Sequence, residues 1–499
     1  MTAGAREVIA RVLDAGSFVD WGTPTLPEDL SPEYAEELAA ARRRSGVDEA
    51  VLVGEGLLKG RRVAVVVGEF AFLAGSVGVA TARLLTDCIA RATAERLPLL
   101  AFPVSGGTRM QEGTLAFVQM ARVTAALAAH RRAGLPYLVW LRSPTFGGVL
   151  ASWGSLGHVT MAEPGAKIGF LGPRVYRALY GQDFPADVQT AENLYAHGLL
   201  DAVLPLAEVR ETVARTLDVL CAPRRGLSPV FVPDEGFTTS SGDSAWDSVQ
   251  RTRRLDRPGA REVLWHAGVD PVELSGTGHG ETGPAIMLGL ARVGRAPCVI
   301  VAQDRHAQHT GRPIGPADLR VARRGTALAQ ELGLPLVTLV DTPGGDLSRQ
   351  AEEGGMSMEI ASCLLDLAST TVPTVSVLLG QGTGGAALAL AAADRTVAAR
   401  HAWLSPLPPE GASAIVHRTT GRAAAMAESQ GIRSTELARC GIVDRVVDER
   451  PDAADEPAAF SRRLLAAVEA ELLGLLGDEP EERLSRRFRE LDEAVPRSS

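Results

Sequence analysis

Aromatic residues supply only 5% of this 499-residue chain, whereas glycine alone takes 52 positions. Such a shortage of rings beside so many small residues suggests closely packed α/β layers. Cysteine is also scarce: Cys88, Cys221, Cys298, Cys363 and Cys440 are odd in number and never spaced as a CxxC pair. That excludes a zinc ribbon and a disulfide framework, and points to a reducing cytoplasm. Basic residues are outnumbered, 51 against 60 acidic ones, for a formal net charge of -9. With no field to draw in phosphate backbones, general nucleic-acid binding is excluded. The residues after Met1 contain no apolar stretch of the kind a secretory signal needs. The longest uncharged run, residues 371–393, contains Pro373, Gln381 and several glycines. It reads as a buried strand followed by a helix, not as a membrane span.

What the chain does have is repetition. "PYLVWLRSPTFGG" starts at Pro136 and reaches Gly147 eleven residues later; "PTVSVLLGQGTGG" starts at Pro373 and reaches Gly384 at the same distance. The offset of 237 that relates them also aligns "LPLLAFPVSGG" (97–107) with "LPLVTLVDTPG" (334–344). Small shifts bring "LLKGRRVAVVV" (57–67) onto "LARVGRAPCVIV" (290–301) and "AHGLLDAVLP" (196–205) onto "RCGIVDRVVD" (439–448). Four matches in one order imply a duplicated domain, since the period is far too long for a solenoid.

Each copy alternates buried apolar runs with small-residue helices. Strands are expected at 63–67, 99–102, 137–141, 299–302, 336–340 and 374–379. Helices are expected at 78–96, 111–132, 318–332 and 356–369. This alternation implies βαβ units with a sheet buried on both faces. Gly198 and Gly441 read as helix C-terminal caps before the last strand of each copy. The Pro-, Gly- and Ser-rich stretch after Ala222 breaks the pattern. It sets the expected boundaries: a first domain 1–225, a linker 226–245 and a second domain 246–499. The charged C-terminal "EPEERLSRRFRELDEAV" reads as a solvated or partner-facing helix.

In both copies a strand ends in a glycine pair, Gly147-Gly148 and Gly384-Gly385, at an expected strand-to-helix junction. A glycine pair can mark a plain tight turn. It can also bare backbone N–H groups at a helix's positive end, where they suit a carbonyl oxygen that becomes an enolate. Recurrence in register favours the second reading, and two holes suggest chemistry with two developing oxyanions.

Here the chain resembles a known family. "SGGTRMQEG" (105–113), "PTFGGVLAS" (144–152) and "AEPGAKIGFLGPRV" (162–175) resemble the β subunit of the carboxyltransferase of bacterial acetyl-CoA carboxylase. "DTPGG" (341–345), "AEEGG" (351–355), "GQGTGGAALAL" (380–390) and "SPLPPEGASAI" (405–415) resemble its α subunit. The β-then-α order matches the fused acyl-CoA carboxyltransferases, over about residues 5–210 and 245–450. The resemblance implies two tandem crotonase-like (ClpP-like) domains, each a spiral of ββα turns. It implies transfer of CO2 from carboxybiotin on a carrier protein to the α-carbon of acetyl-CoA or a related short acyl-CoA, with released biotin as the base. The family's four-cysteine zinc ribbon is missing here, and its "DTPGAYPGVGAEERG" loop is replaced by "DTPGGDLSRQAEEGG".

By the same resemblance, Gly147 and Gly148 hold the thioester enolate, while Gly384 and Gly385, with Ala386, hold the ureido oxygen of biotin. Ser105, Gly106, Gly107, Arg109 and Phe146 fall on the CoA side, and Thr342, Pro343 and Gly344 on the biotin side. The implied partners are biotin carboxylase, biotin carboxyl carrier protein and a second copy of the chain, as a homodimer or a dimer-based oligomer. Neither nucleic acid nor membrane is expected, and malonyl-CoA for fatty acid synthesis is the expected product. Arg174 and the "KGRR" run (59–62) are further candidates for CoA phosphates, with surface solvation the rival reading for that run. Gln111 and Glu112 read as residues that cap or pair on the following helix, Glu163 and Glu410 as loop or turn residues. His306-x-x-His309 after Asp304 lacks a third ligand at suitable spacing, so no metal is expected. Two rival functions stay open: a malonyl-thioester decarboxylase using the same holes, and a silent acyl-CoA-binding scaffold.

Overall fold

The computed structural model describes residues 3–24, 30–228, 230–232 and 244–493, with side chains to Arg487. The chain divides into two compact units. One runs to Cys221 and takes in Gly278–Glu281; the other comprises Ala222–Thr277 and Thr282 onward. The division therefore falls at Cys221, and the stretch after it goes with the second unit. Most of the expected linker, residues 229 and 233–243, lies outside the described residues.

The first unit contains β1 (Val19–Asp20), β2 (Val51–Leu58), β3 (Arg61–Gly68), β4 (Leu99–Phe102), β5 (Tyr137–Leu141), β6 (Thr145–Phe146), β7 (Val159–Ala162), β8 (Ile168–Gly169) and β9 (Ala202–Val203). Its sheet runs β1-β2-β3-β4-β5-β7-β9. The pairs β1–β2 and β2–β3 are antiparallel, and the rest are parallel.

The second unit contains β10 (Val272–Leu274), β11 (Ile286–Val293), β12 (Ala296–Gln303), β13 (Leu336–Thr342), β14 (Thr374–Thr383), β15 (Arg395–Ala399), β16 (Trp403–Ser405) and β17 (Arg445–Val447). Its sheet runs β10-β11-β12-β13-β14-β15-β17, again with two antiparallel pairs followed by parallel ones. The two paths match strand for strand, so the duplication read from the sequence is a duplication of topology.

The match extends to a second layer. Ser105 bridges Thr145, and β6 pairs with β8; at the 237-residue offset Thr342 pairs with Gly382, and the end of β14 pairs with β16. Parallel strands need long crossovers, here the helices Val79–Ala94, Gly113–Arg132, Pro316–Leu332 and Met356–Ser369. Their apolar faces cover the sheets, and β4, β5 and β12 to β14 are buried along their whole length. That double cover explains why these strands read as continuous apolar runs instead of alternating ones. Gly198 and Gly441 do cap helices in the left-handed conformation, at φ 66° and 75°.

One expectation needs correction. A regular helix follows Gly384-Gly385, spanning Gly384–Ala391, but none follows Gly147-Gly148. There a single turn, Ala151 N–H to Gly147 O at 3.0 Å, leads into a short 3-10 turn at Trp153–Ser155. The Ser152 hydroxyl bonds the Gly148 carbonyl at 2.5 Å, and Gly154 N–H takes the Val149 carbonyl at 2.8 Å. Side-chain competition of this kind ends a helix before it can propagate. Among the described residues no helix is long and apolar enough to cross a membrane.

Candidate active site

Each copy builds the same wall from two loops. Beyond β4, Ser105 donates its N–H to Pro144 O at 2.7 Å and accepts from Phe146 N–H at 2.9 Å through its carbonyl. Its hydroxyl accepts the Gly107 N–H at 3.0 Å. At the end of β13 the Thr342 hydroxyl accepts the Gly344 N–H at 3.1 Å. Gly107 and Gly344 have φ 122° and 137°, and Gly147 and Gly384 have φ 64° and 68°. Only glycine enters that region without strain. The four glycines form two pairs at the 237-residue offset, so the backbone shape itself has been duplicated.

In each copy the turn and the glycine pair touch. A Cβ on Gly147 would lie 3.5 Å from Gly107 Cα, and one on Gly344 would lie 3.7 Å from Thr383 Cγ2. The second glycine of each pair faces the helix before it. A Cβ on Gly148 would meet Thr108 Oγ1 at 3.2 Å and Met120 Cγ at 3.4 Å, and one on Gly385 would meet Ile360 Cδ1 at 2.8 Å. The second glycine therefore has a packing reason as well as an electrostatic one.

The two pairs differ in which donors are free. Gly147 N–H is already committed to Gly169 O at 3.2 Å across the β6–β8 pairing. The expectation that both N–H groups of this pair are free for an oxyanion is thereby corrected: of the two, only the Gly148 N–H is left without a backbone acceptor among the described residues. Gly384, Gly385 and Ala386 form the first turn of their helix, where backbone N–H groups have no intrahelical acceptor. Thr383 holds the N-cap position yet makes no side-chain capping bond, and among the described residues its buried hydroxyl has no hydrogen-bond partner. A cap would normally consume one of these donors; here they are left for another acceptor.

Arg109 is not where the sequence put it. Its side chain is 0% exposed, and its two terminal nitrogens pair with Glu49 at 2.5 and 3.1 Å. Ser76 O at 2.8 Å and the Tyr34 hydroxyl at 3.3 Å take further donors. A guanidinium so enclosed and saturated is unavailable to CoA phosphates, so Arg109 is a buried tie under the 105–113 loop. The "KGRR" run is also engaged, Lys59 with Glu211, Arg61 with Asp218, and Arg62 with Glu55 and Glu95, all exposed pairs. Arg174 sits exposed on the helix Pro173–Tyr180. Phe146 is buried on β6 beside Gly147, while Gly106 and Pro343 lie within the two turns.

Glu112 caps the helix Val79–Ala94 by accepting Val79 N–H at 2.6 Å. Gln111 donates to Glu37 at 2.8 Å, and Glu163 accepts Ser143 N–H at 3.2 Å. Glu410 takes Arg253 in a fork at 2.6 and 3.0 Å. Each of these carboxylates is committed to a structural bond, which leaves backbone donors as the common element of both sites. Burial pushes the thiols of Cys88, Cys298 and Cys363 up to about 12, so none is a ready nucleophile. His306 and His309 lie on the short helix Arg305–His309, and among the described residues no group of three or more His, Cys, Asp or Glu is arranged to hold a metal.

Sequence reasoning assigned no role to three residues beneath the second pair. Gln303, fully buried, accepts Asp341 N–H at 2.9 Å and donates to Ala386 O at 2.8 Å. Asp341 accepts Gln381 N–H at 3.0 Å and pairs with Arg305 at 3.1 Å. Asp341 opens the "DTPGG" motif and Gln303 ends an apolar strand, a polar residue at a buried position being the available signal.

A duplicated sheet path with a glycine pair of matching backbone conformation in each copy defines a two-domain α/β protein with one such glycine corner per domain. Residues 3–483 match the carboxyl transferase domain. The chain is 55% identical over 481 residues to a probable biotin-dependent acyl-coenzyme A carboxylase beta3 subunit of Mycobacterium tuberculosis, covering 96% of this chain and 95% of that protein. It is 38% identical over 507 residues to the acetyl-coenzyme A carboxylase carboxyl transferase subunits beta/alpha of Saccharopolyspora erythraea, covering 98% and 89%. Among solved structures it is similar in fold to transcarboxylase 12S, with a TM-score of 0.73 at 22% identity, over 93% of this chain and 89% of that one. The chain belongs to the carboxyl transferase family, and its two domains have the crotonase-like fold of those enzymes.

Proposed function

We propose that this biotin-dependent acyl-CoA carboxyltransferase moves CO2 from carboxybiotin on a carrier protein to the α-carbon of acetyl-CoA or a related short acyl-CoA. Carboxybiotin supplies the CO2 and, once relieved of it, the base for the α-proton. The chain supplies the electrostatics. Gly148 N–H stabilises the thioester oxygen as it becomes an enolate. The N–H groups of Gly384, Gly385 and Ala386 stabilise the ureido oxygen of biotin. Fixed dipoles need no reorganisation as charge develops, and this makes them effective in a water-poor site. Phe146 and the 105–107 turn line the CoA side, and Thr342, Pro343 and Gly344 the biotin side.

The observation that carries this reading is the recurrence of the whole wall at one offset: hydroxyl, glycine turn and glycine pair. Each copy provides one hole and the reaction needs two. Large apolar residues stand exposed at matched places around each hole: Met110 at 80% and Phe170 at 74% in the first copy, Leu347 at 93% and Leu407 at 39% in the second. Large apolar side chains left in water at equivalent places of both copies support an interaction surface there. It supports a homodimer, or an oligomer of dimers, in which each active site draws one hole from each copy. Biotin carboxylase and biotin carboxyl carrier protein complete the proposed assembly in the cytoplasm.

A panel of acyl-CoA substrates of increasing length, assayed with carboxybiotin as donor, tests the substrate. The expected result is the highest kcat/KM on acetyl- or propionyl-CoA. A best substrate longer than four carbons would overturn the short-chain assignment.

A further inference from the structure

The two holes are built alike at the surface and differently underneath. In the sheet register Val67 pairs with Phe102 and Ala302 with Leu339, so Gly68 matches Gln303 and Val104 matches Asp341. In the first copy the two strands close directly on each other, and a Cβ on Gly68 would lie 2.9 Å from Val104 N. In the second copy that space is filled by the Gln303 side chain. Its carbonyl takes the Asp341 N–H and its amide reaches across to the Ala386 carbonyl, in the first turn of the helix that presents the second hole.

A second glutamine works from the other side. Gln308, half-buried, donates to Asp341 O at 3.1 Å and accepts the Thr342 hydroxyl at 2.6 Å. The same hydroxyl accepts the Gly344 N–H. Asp341 lies at a break in strand register, between Val340 and Thr342. Its backbone N–H and C=O are held by the two glutamines, and its carboxylate by Gln381 N–H and Arg305. A Cβ at position 380 would sit 2.5 Å from that carboxylate, which explains Gly380. With its backbone N–H, its C=O and its carboxylate all bonded, Asp341 is held in one geometry.

We infer that Gln303 and Gln308 are positioning residues for the second hole alone, setting the helix Gly384–Ala391 and the Thr342–Gly344 turn at one fixed separation. The first copy has no such side chain at the equivalent place, where Gly68 lies directly against the Val104 backbone. This rests on the reading that the second copy serves the biotin side, and it makes biotin-side catalysis separately sensitive to two glutamines outside the hole. A displacement of about 1 Å in such a site costs on the order of 10²-fold in rate.

The test is Gln303→Met and Gln308→Met, assayed for exchange between malonyl-CoA and free biotin, with acyl-CoA binding followed by calorimetry and folding by melting. The expected result is a tenfold to hundredfold loss of kcat with a raised KM for biotin, while acyl-CoA affinity stays within twofold. Gln308→Glu keeps the acceptor for the Thr342 hydroxyl and should recover part of the loss. Gln303 is fully buried, so Gln308→Met decides the matter if Gln303→Met fails to fold. Folded variants with unchanged kcat and biotin KM would overturn the inference, as would an equal loss of acyl-CoA affinity. A Gly385→Val, Ile360→Ala reference separates this failure from the other. If that variant weakens acyl-CoA and spares biotin, the side assignment itself is wrong.

Discussion

Gly148→Val and Gly385→Val are each expected to reduce turnover by at least 10²–10³-fold, the usual cost of losing one oxyanion-hole donor. A β-branched side chain on either residue collides with the neighbouring packing and displaces the N–H that must meet substrate. The structure separates the two in stability. A Cβ on Gly148 meets Thr108 Oγ1 at 3.2 Å, a contact eased by small shifts, whereas one on Gly385 meets Ile360 Cδ1 at 2.8 Å. Gly385→Val is thus expected to melt lower than Gly148→Val, and adding Ile360→Ala should restore melting without restoring turnover. Near-normal turnover by either folded variant would remove that pair from the mechanism. Activity recovered by Ile360→Ala would show that the Gly385 effect was packing only.

The second large effect concerns Arg109. Removing one partner of a buried ion pair leaves the other charge uncompensated, at a cost of about 3–5 kcal/mol. Arg109→Met should therefore strongly destabilise the first domain, and Glu49→Gln in the same chain should recover part of the loss, since the charge left behind is gone. Acyl-CoA affinity of the folded double variant should match that of the parent. A single variant that melts normally but loses acyl-CoA would return Arg109 to the phosphate role and contradict the geometry.

The duplication was legible because it rests on periodicity and on glycine, both of which leave marks in the sequence. The 97–107 and 334–344 segments carry Ser105, Thr342, Gly107 and Gly344 to equivalent places, with φ angles and hydroxyl bonds repeated. Burial was less legible. A motif places Arg109 next to the site but does not show that Glu49, sixty residues earlier, folds over it. The commitment of Gly147 N–H depends on β8, which returns to β6 only after the chain has passed through the neighbouring sheet. Helix content after Gly148 was overestimated because the "ASWGS" run is uncharged and rich in small residues, whereas its serine and glycine favour turns. Gln303 and Gln308 are not legible as positioning residues because most of their partners are backbone groups, which a sequence does not display.

Coupled transfer between two holes is tested most directly by one measurement. Purified protein is given malonyl-CoA with and without free biotin, and carboxybiotin and released CO2 are followed together. The account predicts that malonyl-CoA is consumed only when biotin is present, with carboxybiotin formed in step with acetyl-CoA. Release of CO2 at the same rate without biotin would instead identify a decarboxylase. Binding of malonyl-CoA with no turnover under either condition would identify a scaffold, and either result would contradict the account.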